Sequence, residues 1–552
     1  MRGLGLAALA LVAAAPSLAQ PVSKVSIERS NVFNPAVPGE DWWPFQTANR
    51  IHFLTREHIV EHDNLLPVGA FWDPLKAVET ERNLRSLGFL RHASVDPKFL
   101  DDGTVDLRIR TQDSWTLVPQ FSLGTEGGDD FLIFGAQEGN LLGLGKGISL
   151  FHSQVGSEIR NDLRYTDPRL FGTWNELTTQ FADTSRGTES GVRVTKPFFS
   201  HDAPHAWEAS WARIVQENSL YENGDEISKF DADFRAVRSR FGARVGQIGD
   251  TTHRVNLGTL YAKSDFAATS ETRAGSLPSD RELSGPLFGY SWIQTRYRSE
   301  RNIDQMQRTE DYNLGNDFSI EGGPMLESWG SDRDRWMLHA SDRQGIPFGP
   351  GRFALTEVGV EGRSAGGSVE NGIFFANLNL FWKTGWILDQ TFVGHLEFNS
   401  TRRLDGERQL VLGGDTGLRG YKNNAFTGQR SLLLNLENRL FWDRELCHLV
   451  YMGGVVFFDS GVIASSARGL ANRVKNDVGA GLRFSPSRSS SGGVVRIDVA
   501  YAINEGPGGS RWVVSVRGGH AFSLFGSANR GTRRHPDSAL AEDDPSIRLR
   551  RR

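Results

Sequence analysis

The chain has 552 residues and carries 62 lysine and arginine residues against 66 aspartate and glutamate residues, a formal net charge of −4. This balance argues against a protein that binds nucleic acid through a basic surface. The single cysteine, Cys447, cannot form an intramolecular disulfide, so a small disulfide-stapled scaffold is excluded.

The first nineteen residues have the features of a secretory signal peptide. Arg2 gives a basic end, an apolar run follows, and Ser17-Leu18-Ala19 ends in the small residues of a cleavage site. We expect cleavage after Ala19, and because Gln20 is not a cysteine, a lipid-anchored lipoprotein is not expected. No later window approaches ~18 continuous apolar residues, so no transmembrane helix is predicted in the mature chain.

Residues 20–49 contain prolines, and their apolar residues do not recur with a helical or strand period. They are predicted to be an irregular linker. A compact α+β domain of the order β-α-α-β-β is predicted over residues 50–113. Its signals are a short strand at residues 51–53, a helix capped by Thr55, a second helix from Asp73-Pro74 to Gly88, and two strands at 93–98 and 105–110 joined by Asp101-Asp102-Gly103.

After Trp115 the helical period disappears and runs with a period of two follow for about four hundred residues. Between Ser431 and Trp442, apolar residues alternate with Asn435, Glu437 and Arg439. Apolar residues on one face and charges on the other are typical of a barrel with a wet lumen, and 61 glycines, 34 phenylalanines and 14 tryptophans agree with this. On composition alone, a large secreted β-protein is the alternative.

We therefore predict a transmembrane antiparallel β-barrel over residues 115–525. Sixteen strands are expected, and up to twenty can be counted. An even number places both ends of the barrel domain on the same side of the membrane. Residues 526–552 follow, with an acidic group at 542–544 and a basic end at 550–552. They are predicted to be a disordered basic tail, with contact to anionic lipid or a partner as the alternative.

Several short motifs resemble those of one family. They are NLRSLGF at 83–89, EGNLLGLGKG at 138–147, YTDPRLFG at 165–172, GGDTGLRGY at 413–421 and FFDSG at 457–461. The last two form a pair in the expected order. The chain resembles the BamA/TamA-like outer-membrane assembly proteins, whose superfamily also contains the two-partner secretion transporters, and residues 50–113 resemble a single POTRA domain.

The resemblance implies that Arg419, Gly420 and Tyr421 lie on a loop folded into the lumen. It also implies that Asp459 is the partner of Arg419, within a strand motif that runs from Phe457 to Gly461. The alternation of the strand after the loop adds Glu437 as a second inward carboxylate. Glycines allow the loop to approach the wall, and a guanidinium offers a rigid set of donors to carboxylates. The alternative is that Arg419 only rigidifies the barrel.

The resemblance further implies a non-enzymatic polypeptide insertase or translocase of the bacterial outer membrane, with the POTRA domain and the tail in the periplasm. Its partners would be the lipid bilayer, unfolded polypeptide clients captured by β-augmentation at the POTRA domain, and accessory periplasmic proteins, with no nucleic acid. It also implies a lateral seam between the first strand, from Thr116 to Gly124, and the last, from Arg511 to Phe522. Gly518 and Gly519 thin the last strand.

Two motifs resemble those of enzymes, but each lacks a feature that the enzyme would require. His58-Ile59-Val60-Glu61-His62 fits the H-x-x-E-H pattern of zinc peptidases, but no third ligand is apparent. GLGKG at 143–147 resembles a phosphate loop, but Gly147 occupies the position of the required Ser or Thr and no helix follows. We predict no catalytic residues, cofactor or metal. A passive outer-membrane channel on the same scaffold is the competing function; a hydrolase within the barrel would need a nucleophile and a base that the sequence does not offer.

Overall fold

The computed structural model describes residues 20–126, 129–155, 158–386, 388–466, 469, 474–490, 493–508 and 510–518. An N-terminal α+β module is followed by a large β-barrel. The predicted signal peptide, the seam residues Gly519 and Phe522, and the predicted tail at 526–552 lie outside the described residues.

The module is a three-stranded sheet covered by helices. Its elements are β1 (Val22–Ser30), α1 (Trp43–Ile51), α2 (Glu57–His62), α3 (Pro74–Ser86), β2 (Leu90–Phe99) and β3 (Val105–Asp113). β3 is central, parallel to β1 on one side and antiparallel to β2 on the other. Val60, Leu66, Leu84 and Ile109 are fully buried between helices and sheet and form the module's core.

The predicted start of this module is wrong. Residues 20–49 are not an irregular linker, since they contain β1 and α1, and the strand expected at 51–53 is replaced by the end of α1 and the residues after it. β1 pairs with β3 far along the chain, for example Val25 with Leu107, and no local pattern reveals such a pairing. The two later helices and the hairpin are confirmed. Asp73 caps α3 by accepting the N–H of Leu75 at 2.8 Å.

In the residues that the structure describes, twenty antiparallel strands form the barrel, and the sheet closes because β27 lies beside β4. The barrel strands are β4 (Leu117–Glu126), β5 (Asp129–Leu141), β6 (Lys146–Val155), β7 (Glu158–Asp167), β8 (Glu176–Thr184), β9 (Gly187–Lys196), β10 (His205–Glu222), β11 (Asp225–Ile248), β12 (Thr251–Ala268), β13 (Arg281–Gln294), β16 (Asn316–Met325), β17 (Arg335–Gly349), β18 (Arg352–Ala365), β19 (Ser368–Thr384), β20 (Asp389–Arg402), β23 (Arg430–Leu446), β24 (Val450–Ala464), β25 (Lys475–Pro486), β26 (Val495–Ala502) and β27 (Trp512–Gly518). The expectation of sixteen strands is therefore wrong, and the upper count is the correct one.

In the described part of the chain, two small two-stranded hairpins are separate from the barrel sheet. One consists of β14 (Tyr297–Glu300) and β15 (Glu310–Asn313), and the other of β21 (Leu410–Leu412) and β22 (Phe426–Gly428). Short 3₁₀ turns occupy Leu170–Gly172, Glu327–Trp329 and Gly414–Thr416. None of the helices in the described part of the chain is long and apolar enough to cross a membrane.

The predicted alternation of side chains along the barrel strands is confirmed. On β23, Leu432, Leu436 and Trp442 are exposed on the outer surface, whereas Asn435 and Glu437 are buried on the inner side. The same pattern holds on β26. The outer surface is thus rich in exposed apolar side chains, and the interior holds buried charges.

The two ends of the barrel differ. We call the end at which β4 begins, directly after Trp115, the module end, and the opposite end the far end. Because the number of strands is even, β27 runs back towards the module end. The connection between β13 and β16 lies at the module end, and the connection between β20 and β23 lies at the far end.

Candidate functional site

The candidate site is built on residues 403–429, the connection between β20 and β23, which folds into the barrel; we call it the lumen loop. Its buried apolar residues Leu412, Leu418 and Tyr421 pack against Leu433 on β23 and Ile463 on β24. Polar contacts fix its other side. The loop's Glu407 accepts a hydrogen bond from Arg281 of β13 at 2.6 Å, and its Gln409 accepts the backbone N–H of Tyr221 at 2.8 Å. Tyr221 lies on β10, eight strands from β20 in the barrel order. The loop therefore crosses the lumen rather than extending from the far end.

Arg419 lies at the centre of this site with 3% of its surface exposed. Its Nε and Nη2 atoms donate to the two carboxylate oxygens of Asp459, each at 2.7 Å, and Nη1 donates to Oε1 of Glu437 at 2.6 Å. The two contacts with Asp459 form the bidentate arrangement that gives the strongest charge-assisted hydrogen bonds. The ion pairs expected from the sequence are thus present in the structure.

The strand motif on β24 contributes three residues to this site, spaced two apart along the strand. Because side chains alternate along a strand, Phe457, Asp459 and Gly461 all face inward. The guanidinium carbon of Arg419 lies 3.5 Å from the centre of the Phe457 ring, a cation–π contact. A Cβ atom at Gly461 would lie 3.0 Å from Leu418, so the missing side chain leaves room for the lumen loop.

The glycine and the tyrosine of the arginine motif hold the loop against the wall. A Cβ atom at Gly420 would lie 2.6 Å from the Cβ atom of Asp477 on β25, so only glycine permits this approach. The hydroxyl of Tyr421 lies 3.0 Å from the carbonyl oxygen of Asn476 and 3.1 Å from that of Asn504. These contacts position the backbone directly after Arg419.

Three further residues belong to the site although the sequence analysis did not nominate them. The amide of Asn435 donates to Oδ1 of Asp459 and to the carbonyl oxygen of Gly417, each at 2.7 Å. Arg439 donates to Oε2 of Glu437 at 2.8 Å. Asp477 is fully buried and lies opposite Asp459 in the register of β24 and β25. The alternation along β23 already predicts that Asn435 and Arg439 face inward. The position of Asp477 opposite Asp459 could be known only from the register of the two strands.

The predicted seam residues lie on the two strands that close the barrel. Thr116 is buried just before β4, where its carbonyl oxygen accepts the N–H of Gly139 at 3.2 Å, and Gly124 lies within β4. Arg511 is exposed just before β27, and Gly518 is the last described residue of that strand. The described part of β27 has 7 residues.

The family-like motifs of the early barrel strands contact the module. The side chain of Asn140 donates to the hydroxyl of Thr55 at 2.8 Å. Arg169, in YTDPRLFG, forms an ion pair with the fully buried Asp63. On α3, Glu79 accepts the backbone N–H of His201 at 3.0 Å. We call this set of contacts between the module and the barrel turns the module interface. Burial there raises the pKa of the Glu79 carboxyl to about 7.

Neither enzyme-like motif forms a reactive cluster. On α2, His58 is exposed, whereas the His62 ring packs 4.7 Å from Trp174, and burial followed by the nearby Arg169 lowers the pKa of His62. GLGKG forms the turn between β5 and β6, where the carbonyl oxygen of Gly143 accepts the N–H of Arg56. Among the residues that the structure describes, no group of three or more His, Cys, Asp or Glu side chains is placed to hold a metal ion.

Comparisons with known proteins give structural likenesses only. No family model and no curated protein matches the chain. The structure is similar to BamA from Haemophilus ducreyi lacking POTRA domains 1–3, with 13% identity over 90% of this chain and 84% of that chain and a TM-score of 0.35. It is similar to CdiB from Escherichia coli, with 11% identity over 90% and 76% and a TM-score of 0.44.

A third similar structure is the alcaligin outer-membrane receptor FauA from Bordetella pertussis, with 12% identity over 74% of this chain and 73% of that chain and a TM-score of 0.34. Identities and TM-scores this low do not place the chain in a family. The function must therefore be inferred from the residues of the barrel itself.

Proposed function

We propose that this chain is an outer-membrane β-barrel that inserts or secretes polypeptides, with the N-terminal module as a POTRA-type domain on the periplasmic side. In this proposal the lumen loop is an internal element whose position is fixed by Arg419. The module end of the barrel then faces the periplasm and the far end faces the outside. No enzymatic step, cofactor or metal is part of the proposal.

The membrane location is supported by the distribution of apolar and charged residues. The barrel exposes large apolar side chains on its outer surface, among them Leu257, Phe288 and Trp382. Its interior holds ion pairs such as Arg343 with Glu357 at 2.8 Å. A water-soluble protein buries its apolar surface and solvates its charges, whereas a barrel in lipid does the reverse. A closed sheet also satisfies its backbone hydrogen bonds without water.

The transport function depends above all on the ion pairs of Arg419 inside the barrel. A rigid pore needs no loop across its lumen, and burying a guanidinium with two carboxylates costs desolvation that only well-formed contacts offset. The lumen loop occupies the lumen from the far end, while the module interface lies at the module end. We infer that a passing polypeptide displaces one of these elements, and this favours a gated machine over a passive channel.

Client capture would use a free edge of the module sheet. β3 is paired on both sides and offers no edge, so the candidates are β1 and β2. The β2 edge is partly occupied, since the N–H of Val95 donates to Glu81 at 2.9 Å and Pro97 has no N–H to offer. The β1 edge is bonded to the backbone of residues 69–70 at Val22. An extended client would therefore add beside the later part of β1.

The test is photo-crosslinking in vivo combined with reconstitution. A photoreactive residue at Lys24 or Glu28 on β1 should give adducts with unfolded outer-membrane or secreted polypeptides, whereas one at Glu61 on α2 should not. In proteoliposomes, the wild-type chain should promote insertion or passage of a labelled client, and Arg419→Ala should not. A large constitutive conductance, with no adducts from β1, would instead establish a passive channel.

A further inference from the structure

The connection between β13 and β16, residues 295–315, folds into the module end of the barrel, and we call it the plug segment. Ile303 has 0% and Met306 2% of its surface exposed. The hydroxyl of Thr391, on β20, donates to the carbonyl oxygen of Asn302 at 2.7 Å. Met306 packs with Phe441 on β23. These wall residues face inward, so the plug segment lies inside the barrel rather than over its rim.

The lining of the barrel at this point is apolar, which is unusual for its interior. Phe353, Leu355, Phe381 and Val393 face inward from β18, β19 and β20 and form one cluster with residues of the plug segment, namely Ile303, Tyr312 and Leu314. In an open, water-filled lumen these apolar side chains would be exposed to water, which is unfavourable. The wall sequence is therefore suited to a covered state.

The plug segment also has a buried polar anchor. The carboxylate of Glu310 accepts hydrogen bonds from the backbone N–H groups of Ile303 and Asp304, each at 3.1 Å. It also accepts a hydrogen bond from the hydroxyl of Tyr312 at 2.8 Å. These bonds fold the segment on itself, so that the chain from 302 to 312 enters the barrel as one compact unit. Such a unit can leave the barrel as a whole.

A line of charges joins the plug segment to the lumen loop. Arg439 on β23 donates to the carbonyl oxygen of Ile303 at 2.6 Å and to the carboxylate of Asp304 at 3.1 Å. The same guanidinium donates to Glu437, which accepts from Arg419. The pair of Arg439 and Glu437 therefore links the plug segment, through Arg439, to the lumen loop, through Glu437. Displacing the lumen loop removes Arg419 from Glu437, and displacing the plug segment removes Asp304 from Arg439. In each case a buried charge is left with fewer partners.

A second set of contacts joins the plug segment to the module. Arg85 on α3 donates to both carboxylate oxygens of Asp311 through Nε and Nη2, with a shortest distance of 2.9 Å. Arg82, also on α3, places its guanidinium carbon 4.0 Å from the centre of the Tyr297 ring. One helix of the module thus holds both strands of the β14–β15 hairpin.

We propose that the plug segment is the inner gate of the barrel, held shut by α3 through Arg85 and Asp311 and coupled to the lumen loop through Arg439 and Glu437. A client that displaces the module then withdraws the plug segment and weakens the contacts of Arg419 in one movement. The inference relies on the barrel crossing a bilayer, as proposed above, but not on the nature of the client.

The structure offers a clean way to remove the gate. The N–H of Leu314 donates to the carbonyl oxygen of Arg296 at 2.9 Å, so residues 296 and 314 are already neighbours. Residues 297–313 can be replaced by Asn-Gly, which favours a tight hairpin turn. In planar bilayers, wild type should show rare and brief openings and the deletion variant long-lived ones. Equal conductance of the two folded proteins would overturn the proposal.

Point variants test the coupling to the module. Asp311→Asn should raise the open fraction about tenfold, because it weakens a hydrogen-bonded ion pair at the gate. Asp202→Asn is the matched control, since Asp202 also pairs with α3, through Lys76 at 3.1 Å, but lies on the turn between β9 and β10. Equal effects of the two variants would show that Asp311 holds the module generally and not the gate.

A labelling measurement covers the case in which the deletion variant does not fold. In a Cys447→Ser background, Met306→Cys should react with a membrane-impermeant thiol reagent far more slowly than the native, exposed Cys447 does in the wild-type chain. Adding Asp311→Asn should speed the reaction. Fast labelling of Met306→Cys alone would place the segment outside the barrel and end the proposal. A chain that does not float with liposomes would instead refute the membrane barrel.

Discussion

Replacing Arg419 by methionine is the most direct test of the lumen loop. Methionine keeps much of the side-chain volume but removes three hydrogen bonds to Asp459 and Glu437 and the contact with the Phe457 ring. Asp459 is fully buried and would lose its bidentate partner. Glu437 would keep Arg439. The main penalty therefore falls on Asp459.

The expected magnitude follows from removing one partner of a buried ion pair, which costs about 3–5 kcal/mol. If the loop can leave the lumen without unfolding the barrel, the docked state loses this free energy, and the fraction of undocked loop rises about 10²- to 10⁴-fold. The barrel wall should stay intact, because its strand hydrogen bonds do not involve Arg419.

The assay is the rate at which a cysteine in the loop reacts with a soluble maleimide. Thr416→Cys in a Cys447→Ser background provides the label site, since Thr416 is buried at 7% exposure. Arg419→Met should increase the rate by about two orders of magnitude or more. Arg511→Met is the control, because Arg511 is exposed and its partner Glu505 lies at 3.2 Å on the surface.

A double variant separates the charge from the packing. Adding Asp459→Asn to Arg419→Met removes the uncompensated carboxylate, so the loop of the double variant should label more slowly than that of Arg419→Met alone. If Arg419→Met labels no faster than Arg511→Met, the ion pairs do not hold the loop and the reasoning is refuted. If the double variant is worse than the single one, packing rather than charge dominates.

Gly420→Ala should also release the loop, because its Cβ atom would lie 2.6 Å from a side-chain carbon on β25, whereas Gly385→Ala, with nothing within 4 Å, should leave the labelling rate unchanged. Arg169→Ala should detach the module from its turn at a cost of about 3–5 kcal/mol, since Asp63 would remain buried without its cation, and a protease-sensitive module would report this. The Glu79 carboxyl has a pKa of about 7 in the docked module against an ordinary value of 4.5, so docking takes up a proton between these pH values. The module should therefore bind most tightly below pH 4.5 and less tightly up to pH 7; hydrogen exchange of α3 should follow this trend, and Glu79→Gln should abolish it.

Much of the site could be read from the sequence because its determinants are local. The alternation along β23 already placed Glu437 on the inner face, and the spacing of Phe457, Asp459 and Gly461 already put three residues on one side of a strand. A guanidinium among glycines has few stable positions other than against carboxylates. The pairing of Arg419 with Asp459 and Glu437 followed from these facts together with the resemblance.

Other features could not be read in this way. Leu75 and Val78 continue the helical period of α3 but are exposed, since the helix turns Leu84 and Asn83 inward instead. The plug segment looks like an ordinary connection in the sequence, because its partners Thr391, Phe441 and Arg439 lie on strands far along the chain. The proposed role of the plug segment as a gate therefore follows from its buried position in the fold and not from a local sequence pattern.

The sequence by itself determined the class of the fold and the inward face of each long strand, because strand alternation is a property of neighbouring residues. Only the tertiary structure decided that twenty described strands close the ring, that β1 joins the module sheet, that Asp477 faces Asp459, and that Arg439 and Glu437 link the plug segment to the lumen loop. These features depend on strand register and on pairing between distant segments. The free energy of such pairing comes from contacts that no local stretch of the chain contains.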